Sequence, residues 1–140
     1  MKAARSISDV TAVALGAIGA IHVAWAFGSP FPFRDRATLA DRVVGNEVVP
    51  GRAPSLAVAG ALAAAMVVVG DRRLLPTAVR RTGSLGVAAV LAARAAFGLA
   101  GKTHVLVPGS DSPSFVQLDR RVYGPLCAAL AAGALTSASA

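Results

Sequence analysis

The 140-residue chain has the length of a single domain, and its composition excludes an ordinary water-soluble one. Hydrophobic residues make up 55% of the chain and charged residues only 15%, whereas about a quarter of the residues in soluble domains are charged. The formal net charge of +7 is also typical of nucleic-acid-binding proteins. However, the cations lie mainly between apolar segments, as at Arg72-Arg73 and Arg80-Arg81, where lipid headgroups and membrane topology require them. The sequence therefore predicts a protein of the lipid bilayer that binds no nucleic acid.

Four apolar segments approach the roughly 20 residues that a helix needs to cross the hydrocarbon core. In chain order they are residues 10–27, 54–70, 82–100 and 122–138. Residues typical of helix ends flank them, namely Ser8-Asp9, Pro54, Gly70-Asp71, Gly101-Lys102 and Asp119-Arg120-Arg121. We predict an all-α fold, an integral membrane bundle of four transmembrane helices that forms one domain over residues 1–140.

The first apolar segment has a second interpretation. Basic residues precede it, and Ala24-Trp25-Ala26 matches the small-x-small cleavage site of a signal peptide. Because the apolar run is long, and because His22 and Trp25 crowd the cleavage site, we favour a membrane helix. Ala12 and Gly16 on this segment are small enough to let a second helix approach closely.

Alternating helices place the two long loops, residues 28–53 and 101–121, on one membrane face. We call these loops, with the helix ends that join them, the cap. All seven aromatic residues fall at the cap, although an ordinary aromatic belt occupies both interfaces; they are Trp25, Phe27, Phe31, Phe33, Phe97, Phe115 and Tyr123. The dense cations of the N-terminus and of residues 71–81 predict a location in the cell membrane with both termini in the cytoplasm.

Arg94 is the sharpest single signal, because an arginine at the middle of a membrane helix costs roughly 2.5–3.5 kcal/mol. It either faces inward, to pair with Asp119 or to hold an anionic group, or extends to headgroups about 10 Å away along the helix. We favour the inward orientation. For Asp119 the structural alternative is a charge that complements the dipole at the start of a helix.

Two further side chains are candidates for acid–base chemistry. His22 shares a helix face with Trp25, three residues along, and an imidazole can accept or donate a proton near neutral pH. The structural alternative is a hydrogen-bonded histidine beside an interfacial tryptophan. Glu47, the only glutamate, lies in the first long loop, either as a buried acid or as an exposed loop residue.

Three motifs resemble a known family. They are His22-x-x-Trp25-Ala26, Arg94, and Phe115-x-x-x-Asp119-x-x-x-Tyr123-x-Pro125-Leu126-Cys127. On these residues the chain resembles a family of small bacterial four-helix membrane proteins, catalogued as a domain of unknown function with the number thirty-nine ninety-five. The resemblance covers nearly the whole chain and implies four membrane helices but no activity. Similar proteins follow the Trp-Ala pair with glycines and a second tryptophan, whereas this chain has Phe-Gly-Ser-Pro-Phe-Pro-Phe.

The convergence of these residues on the cap leads to one enzymatic hypothesis. A lipophilic small molecule, such as an isoprenoid, would be isomerised or cyclised with Asp119 or Glu47 as the acid and His22 as the base. Aromatic rings would stabilise a carbocation, and the predicted binding residues are Trp25, Arg94, Tyr123, Phe97 and Phe115.

Two other functions remain open. The chain is alternatively a non-enzymatic partner or scaffold subunit within a homo- or hetero-oligomer. A small transporter is the third hypothesis, and the scarcity of polar residues within the apolar segments and the lack of an inverted repeat argue against it. We predict no cofactor and no metal, because Cys127 is the single cysteine and no Cys/His cluster has the spacing of zinc ligands.

Overall fold

The computed structural model describes residues 2–70 and 73–139, and within them the elements are all helical. In chain order they are α1 (Lys2–Ala26), α2 (Arg36–Leu39), a π-helical turn (Ala40–Val44), α3 (Arg52–Gly70), α4 (Thr77–Ala100), a 3-10 turn (Thr103–Val105), α5 (Pro113–Leu118), a second π-helical turn (Asp119–Tyr123) and α6 (Gly124–Ser139). From α5 to α6 the chain forms one continuous helix, Pro113–Ser139.

Four of the helices are long and apolar enough to cross a membrane. They are Lys2–Ala26, Arg52–Gly70, Thr77–Ala100 and Pro113–Ser139. Even the shortest, with 19 residues, has a length of about 28 Å at 1.5 Å per residue, close to the thickness of the hydrocarbon core. The predicted all-α bundle of four membrane-crossing helices is confirmed.

All four of these helices begin before the apolar segments from which they were predicted, the second at Arg52 rather than at residue 54 and the others by larger margins. The first begins at Lys2 rather than at residue 10, the third at Thr77 rather than 82, and the fourth at Pro113 rather than 122. Hydropathy marks only the apolar part of a helix, whereas backbone hydrogen bonds continue through polar turns. The second long loop is therefore shorter than predicted, because residues 113–121 are helical. Asp71 and Arg72, predicted to end the second helix and to begin the basic loop, lie outside the described residues, as do Met1 and Ala140.

Two of the helix ends that join the long loops are fixed by residues typical of helix termini. Ser112 accepts a hydrogen bond from the backbone N–H of Phe115 and is followed by Pro113, a combination that starts α5. Gly101 has a φ of 68° and ends α4, because glycine adopts this left-handed conformation without steric cost. The cap loops are thereby fixed to the helices at defined residues.

The four spans pack as two pairs, α1 against α3 and α4 against α6. Contacts of α1 with α6 and of α3 with α4 close the bundle. All four spans contribute to its buried apolar core, which consists of Leu15, Val69, Ala88, Leu130 and Ala134. The core side chains are small or of medium size, which allows close packing of the helices.

Small residues lie where the helix backbones come closest. A Cβ atom on Gly70 would lie 2.7 Å from the Cβ of Ala12, so α1 and α3 touch there almost backbone to backbone. Gly16 faces Met66 in the same interface. Between lipid-solvated helices there is little hydrophobic drive to associate, and such close contacts supply van der Waals attraction instead.

Candidate functional site

Three polar side chains meet inside the cap end of the bundle. Nη2 of Arg94, on α4, lies 2.7 Å from Oδ1 of Asp119, on the second π-helical turn. The hydroxyl of Thr103, on the 3-10 turn, donates to the other carboxylate oxygen, Oδ2. Arg94 also donates from Nη1 to the Thr103 hydroxyl at 3.4 Å. We call Arg94, Thr103 and Asp119 the clamp, because they join three segments that are distant in sequence.

The clamp is largely removed from solvent. The Asp119 side chain is 1% exposed and that of Arg94 is 28% exposed. Arg94 thus faces inward instead of extending to the headgroups. Burying a charge is costly unless it is paired and hydrogen-bonded, and here both carboxylate oxygens of Asp119 accept hydrogen bonds.

Glycines and a helix irregularity create the space for the clamp. A Cβ atom on Gly98 would lie 2.7 Å from Arg94 Nη1 and 2.8 Å from Asp119 Oδ1, so no larger residue fits there without a shift. Pro125 has no N–H to offer the preceding turn. The helix widens just before it, and the N–H of Gly124 bonds to the carbonyl of Asp119, five residues back.

Hydrogen bonds tie the two cap loops to each other. The Ser112 hydroxyl donates to the backbone carbonyl of Asp41 at 2.7 Å, and the Ser114 hydroxyl donates to the Asp41 carboxylate. The backbone N–H groups of Asp111 and Ser112 share the carbonyl of Gly45, at 3.1 and 3.2 Å. The first loop is therefore docked on the start of α5.

Two aromatic residues reinforce this docking. Phe115 is 2% exposed and lies against Gly45, where a Cβ atom would approach its ring to 2.6 Å. Tyr123 lies 6.3 Å from the Phe115 ring, centroid to centroid, and its hydroxyl donates to the carbonyl of Arg42 at 3.1 Å. Both side chains thus hold the first loop in place.

His22 and Trp25 form a separate aromatic pair at the end of α1. Their ring centroids are 4.6 Å apart. Nδ1 of His22 lies 2.9 Å from the Ile18 carbonyl, which can only accept, so the ring donates from Nδ1. Nε1 of Trp25 donates to the carbonyl of Phe31 at 2.6 Å, and its ring packs on an apolar cluster in the first loop that includes Leu39.

In the part of the chain that the structure describes, no hydrogen bond or ion pair joins any two of the three predicted catalytic side chains. Among the described residues, the side-chain hydrogen bonds of Asp119 go to Arg94 and Thr103, and none joins it to His22 or Glu47. Glu47 is exposed, and its backbone N–H bonds to the Asn46 side chain. The catalytic roles assigned to these three residues remain predictions, as do the binding roles of Trp25, Arg94, Tyr123, Phe97 and Phe115.

A buried arginine lies at the opposite end of the bundle. Arg80, predicted to be a surface cation of the short basic loop, is 6% exposed and belongs to α4. It donates to the backbone carbonyl of Ser137 at 2.5 Å, near the end of α6. A cation there complements the negative end of the helix dipole, and hydroxyls of Ser84 and Ser137 complete the network. Sequence pattern alone does not separate this arginine from its exposed neighbour Arg81.

The fold and the clamp define a small all-α membrane-type bundle in which a partly buried ion pair joins the third and fourth spans. The chain belongs to the family described as "Protein of unknown function (DUF3995)", whose sequence profile matches residues 15–134, a range that contains the whole clamp. The family predicted from the sequence motifs is thus confirmed. No curated protein and no solved structure matches the chain.

The docking of the first loop on α5 is expected to weaken at acidic pH. Hydrogen bonds from the Ser114 hydroxyl, and then from Ser112, hold the pKa of the Asp41 carboxyl below its ordinary value of 3.8. Because the folded pKa is lower than the unfolded one, Asp41 stabilises the docked loop above about pH 4, and this contribution is lost as the pH falls through the folded pKa. We expect hydrogen-exchange protection at the amides of Asp111 and Ser112 to fall over that acidic range.

The control is Asp41→Asn, measured with the same correction for intrinsic exchange rates. It should show lowered protection at these two amides already at pH 7 and little further loss in acid. Equal protection of the variant and the wild type at pH 7 would contradict a docking role for the carboxylate.

Proposed function

We propose that the protein is a non-enzymatic membrane module, a scaffold or partner subunit, that presents its ordered cap to another protein at one face of the bilayer. The proposal rests on the burial and hydrogen bonding of Asp119. It is the one buried carboxylate among the described residues, and both of its oxygens accept hydrogen bonds within the clamp. A general acid must reach the atom that it protonates, and a side chain that is 1% exposed between Arg94 and Thr103 gives a substrate no approach.

The outer surface of the cap supports a binding role. Several large apolar side chains on its loops are at least 45% exposed; they are Phe27, Phe31, Val48, Val105, Leu106 and Val107. Apolar side chains on the spans have lipid to face, whereas these belong to loops and loop junctions that the clamp and Asp41 hold in place. Exposed apolar groups on an ordered surface are typical of interaction sites. The partner would therefore offer apolar side chains at the level of the membrane interface.

One observation favours the second candidate, an acid–base enzyme for a lipophilic substrate. Because His22 donates from Nδ1, its Nε2 atom carries the lone pair of the neutral ring, and Nε2 has no hydrogen bond among the described residues. It could serve as a base beside the Trp25 ring. Of the two predicted general acids, Asp119 and Glu47, only Glu47 is exposed, in the first loop, so Glu47 would then be the proton donor.

Deuterium incorporation decides between catalysis and binding without a known substrate. Protein in nanodiscs would be incubated in D2O with an extract of bacterial polar and isoprenoid lipids, and the lipids would be analysed by mass spectrometry. Protonation of a double bond delivers a solvent deuteron to carbon, so an isomerase or cyclase would add mass to its product. We expect no carbon-bound deuterium above the level in empty nanodiscs. Incorporation that requires the protein and is lost in a folded His22→Gln variant would overturn the proposal.

Site-specific photo-crosslinking tests the partner directly. A photoreactive side chain at position 105, on the cap, would be compared with one at position 90, where Val90 is 70% exposed on the middle of α4. In cells, we expect a discrete protein adduct, of one reproducible mass, from position 105 and lipid adducts from position 90. Lipid adducts alone from both positions would mean that the cap is immersed in the interface and binds no protein partner.

A further inference from the structure

An open groove of about 620 Å³ lies between α1 and α3 at the end of the bundle opposite the cap. Three of the described residues that line it are charged, while its deeper part is apolar; these lining residues are Arg5, Asp9, Ala12, Met66, Val67, Gly70 and Arg73. None of the candidate residues of the cap belongs to it. The groove is therefore separate from the candidate site at the cap.

The helical spacing of the lining residues sets the direction of the groove. Arg5, Asp9 and Ala12 are four and three residues apart, so they follow one face of α1. At 1.5 Å per residue they cover about 10 Å along the helix axis. Ala12 touches Gly70 at the floor, since a Cβ atom on Gly70 would come within 2.7 Å of it. The charged groups thus lie towards the helix end, and the apolar residues Met66 and Val67 lie further towards the middle of the bundle.

We propose that this groove binds an anionic phospholipid, with its phosphodiester on Arg5 and Arg73 and an acyl chain along Met66 and Val67. Arginine binds phosphate oxygens through paired N–H donors and is weakly hydrated, which makes it well suited to this contact. Basic pockets between membrane helices are typical headgroup sites. Both arginines are exposed, so a lipid can reach them from the bilayer.

Asp9 determines which headgroup fits. The described residues that line the groove include two arginines and one carboxylate, so their formal charge is +1, which matches the single negative charge of a phosphodiester. A phosphomonoester, as in phosphatidic acid, carries more negative charge and would be repelled by Asp9. The free hydroxyls of a phosphatidylglycerol headgroup can donate hydrogen bonds to the Asp9 carboxylate. The preferred ligand is therefore a phosphodiester lipid with a hydroxylated headgroup.

This inference is independent of the proposed function. A scaffold subunit and an enzyme would both have the groove, and neither the clamp nor the cap loops contribute to it.

Native mass spectrometry of the full chain, offered equal amounts of phosphatidylglycerol and phosphatidylcholine, tests the site. We expect phosphatidylglycerol to be retained preferentially. Because one cation near a lipid headgroup contributes about fivefold in affinity, Arg5→Gln and Arg73→Gln should each weaken its binding by about that factor. The matched control is Arg81→Gln, which removes the same charge from an exposed position at the same end of the bundle and should leave the preference unchanged.

Three results would overturn the site. One is equal retention of the two lipids, and another is an equal loss in all three arginine variants, which would mean attraction by net charge alone. The third is displacement of phosphatidylglycerol by soluble glycerophosphoglycerol, the same phosphodiester headgroup without acyl chains, which would assign the groove to a free phosphate ester and not to a lipid.

The Asp9→Asn variant shows whether a loss of lipid binding in the arginine variants is caused by misfolding. Removing the carboxylate should raise the binding of phosphatidic acid severalfold, and a misfolded protein would not gain affinity. If phosphatidic acid binds no better to Asp9→Asn than to the wild type, Asp9 does not face the headgroup and the specificity inference is wrong.

Discussion

The ion pair between Arg94 and Asp119 is the interaction on which the arrangement of the cap depends. Either charge alone would be too costly to hold away from water, so the two helices that carry them must stay in register. Several other features follow from this requirement. Gly98 leaves space for the guanidinium, the π-helical turn before Pro125 accommodates Asp119, and Thr103 completes the carboxylate's hydrogen bonds. The pair also joins two spans near the end at which the loops are longest.

The two ends of the bundle are stabilised in different ways. At the cap, the clamp fixes α4 to the fourth span, and Asp41 with Gly45 docks the first loop on α5. At the other end, Arg80 binds the last turn of α6, and the open groove lies along α1 and the end of α3, above their contact at Ala12 and Gly70. Between them the core is built of small and medium side chains, because helices in lipid associate through close contact and a few polar ties. The two long loops are therefore docked at the cap, and the opposite end is the one that offers space for a ligand.

The four spans and the pairing of Arg94 with Asp119 could be predicted from the sequence. Contacts that depend on tertiary packing could not. Long apolar segments define the spans, and an arginine within one of them requires a partner, which led to Arg94 and Asp119. Thr103 was missed because a single threonine in a loop has no periodicity to reveal it. The early start of the fourth span at α5 was missed as well, although Ser112-Pro113 is a recognisable helix start.

Arg80 and Arg81 look alike in sequence, and only the packing of α6 separates the buried cation from the exposed one. His22 and Asp119 were grouped because they share a membrane face, but a common face does not bring two side chains into contact.

The most direct measurement is the free energy of unfolding of Arg94→Leu, Asp119→Asn and the double variant, in one detergent system. An essential pair predicts that Arg94→Leu, which leaves the buried Asp119 carboxylate without its counter-ion, loses about 3 kcal/mol. Asp119→Asn leaves the partly exposed Arg94 without its counter-ion and is expected to lose less. An essential pair also predicts that the double variant, which buries no charge, is more stable than either single variant. Arg121→Leu, at an exposed position, should change little and serves as the control. Small and additive losses in the single and double variants would contradict the central role of the ion pair.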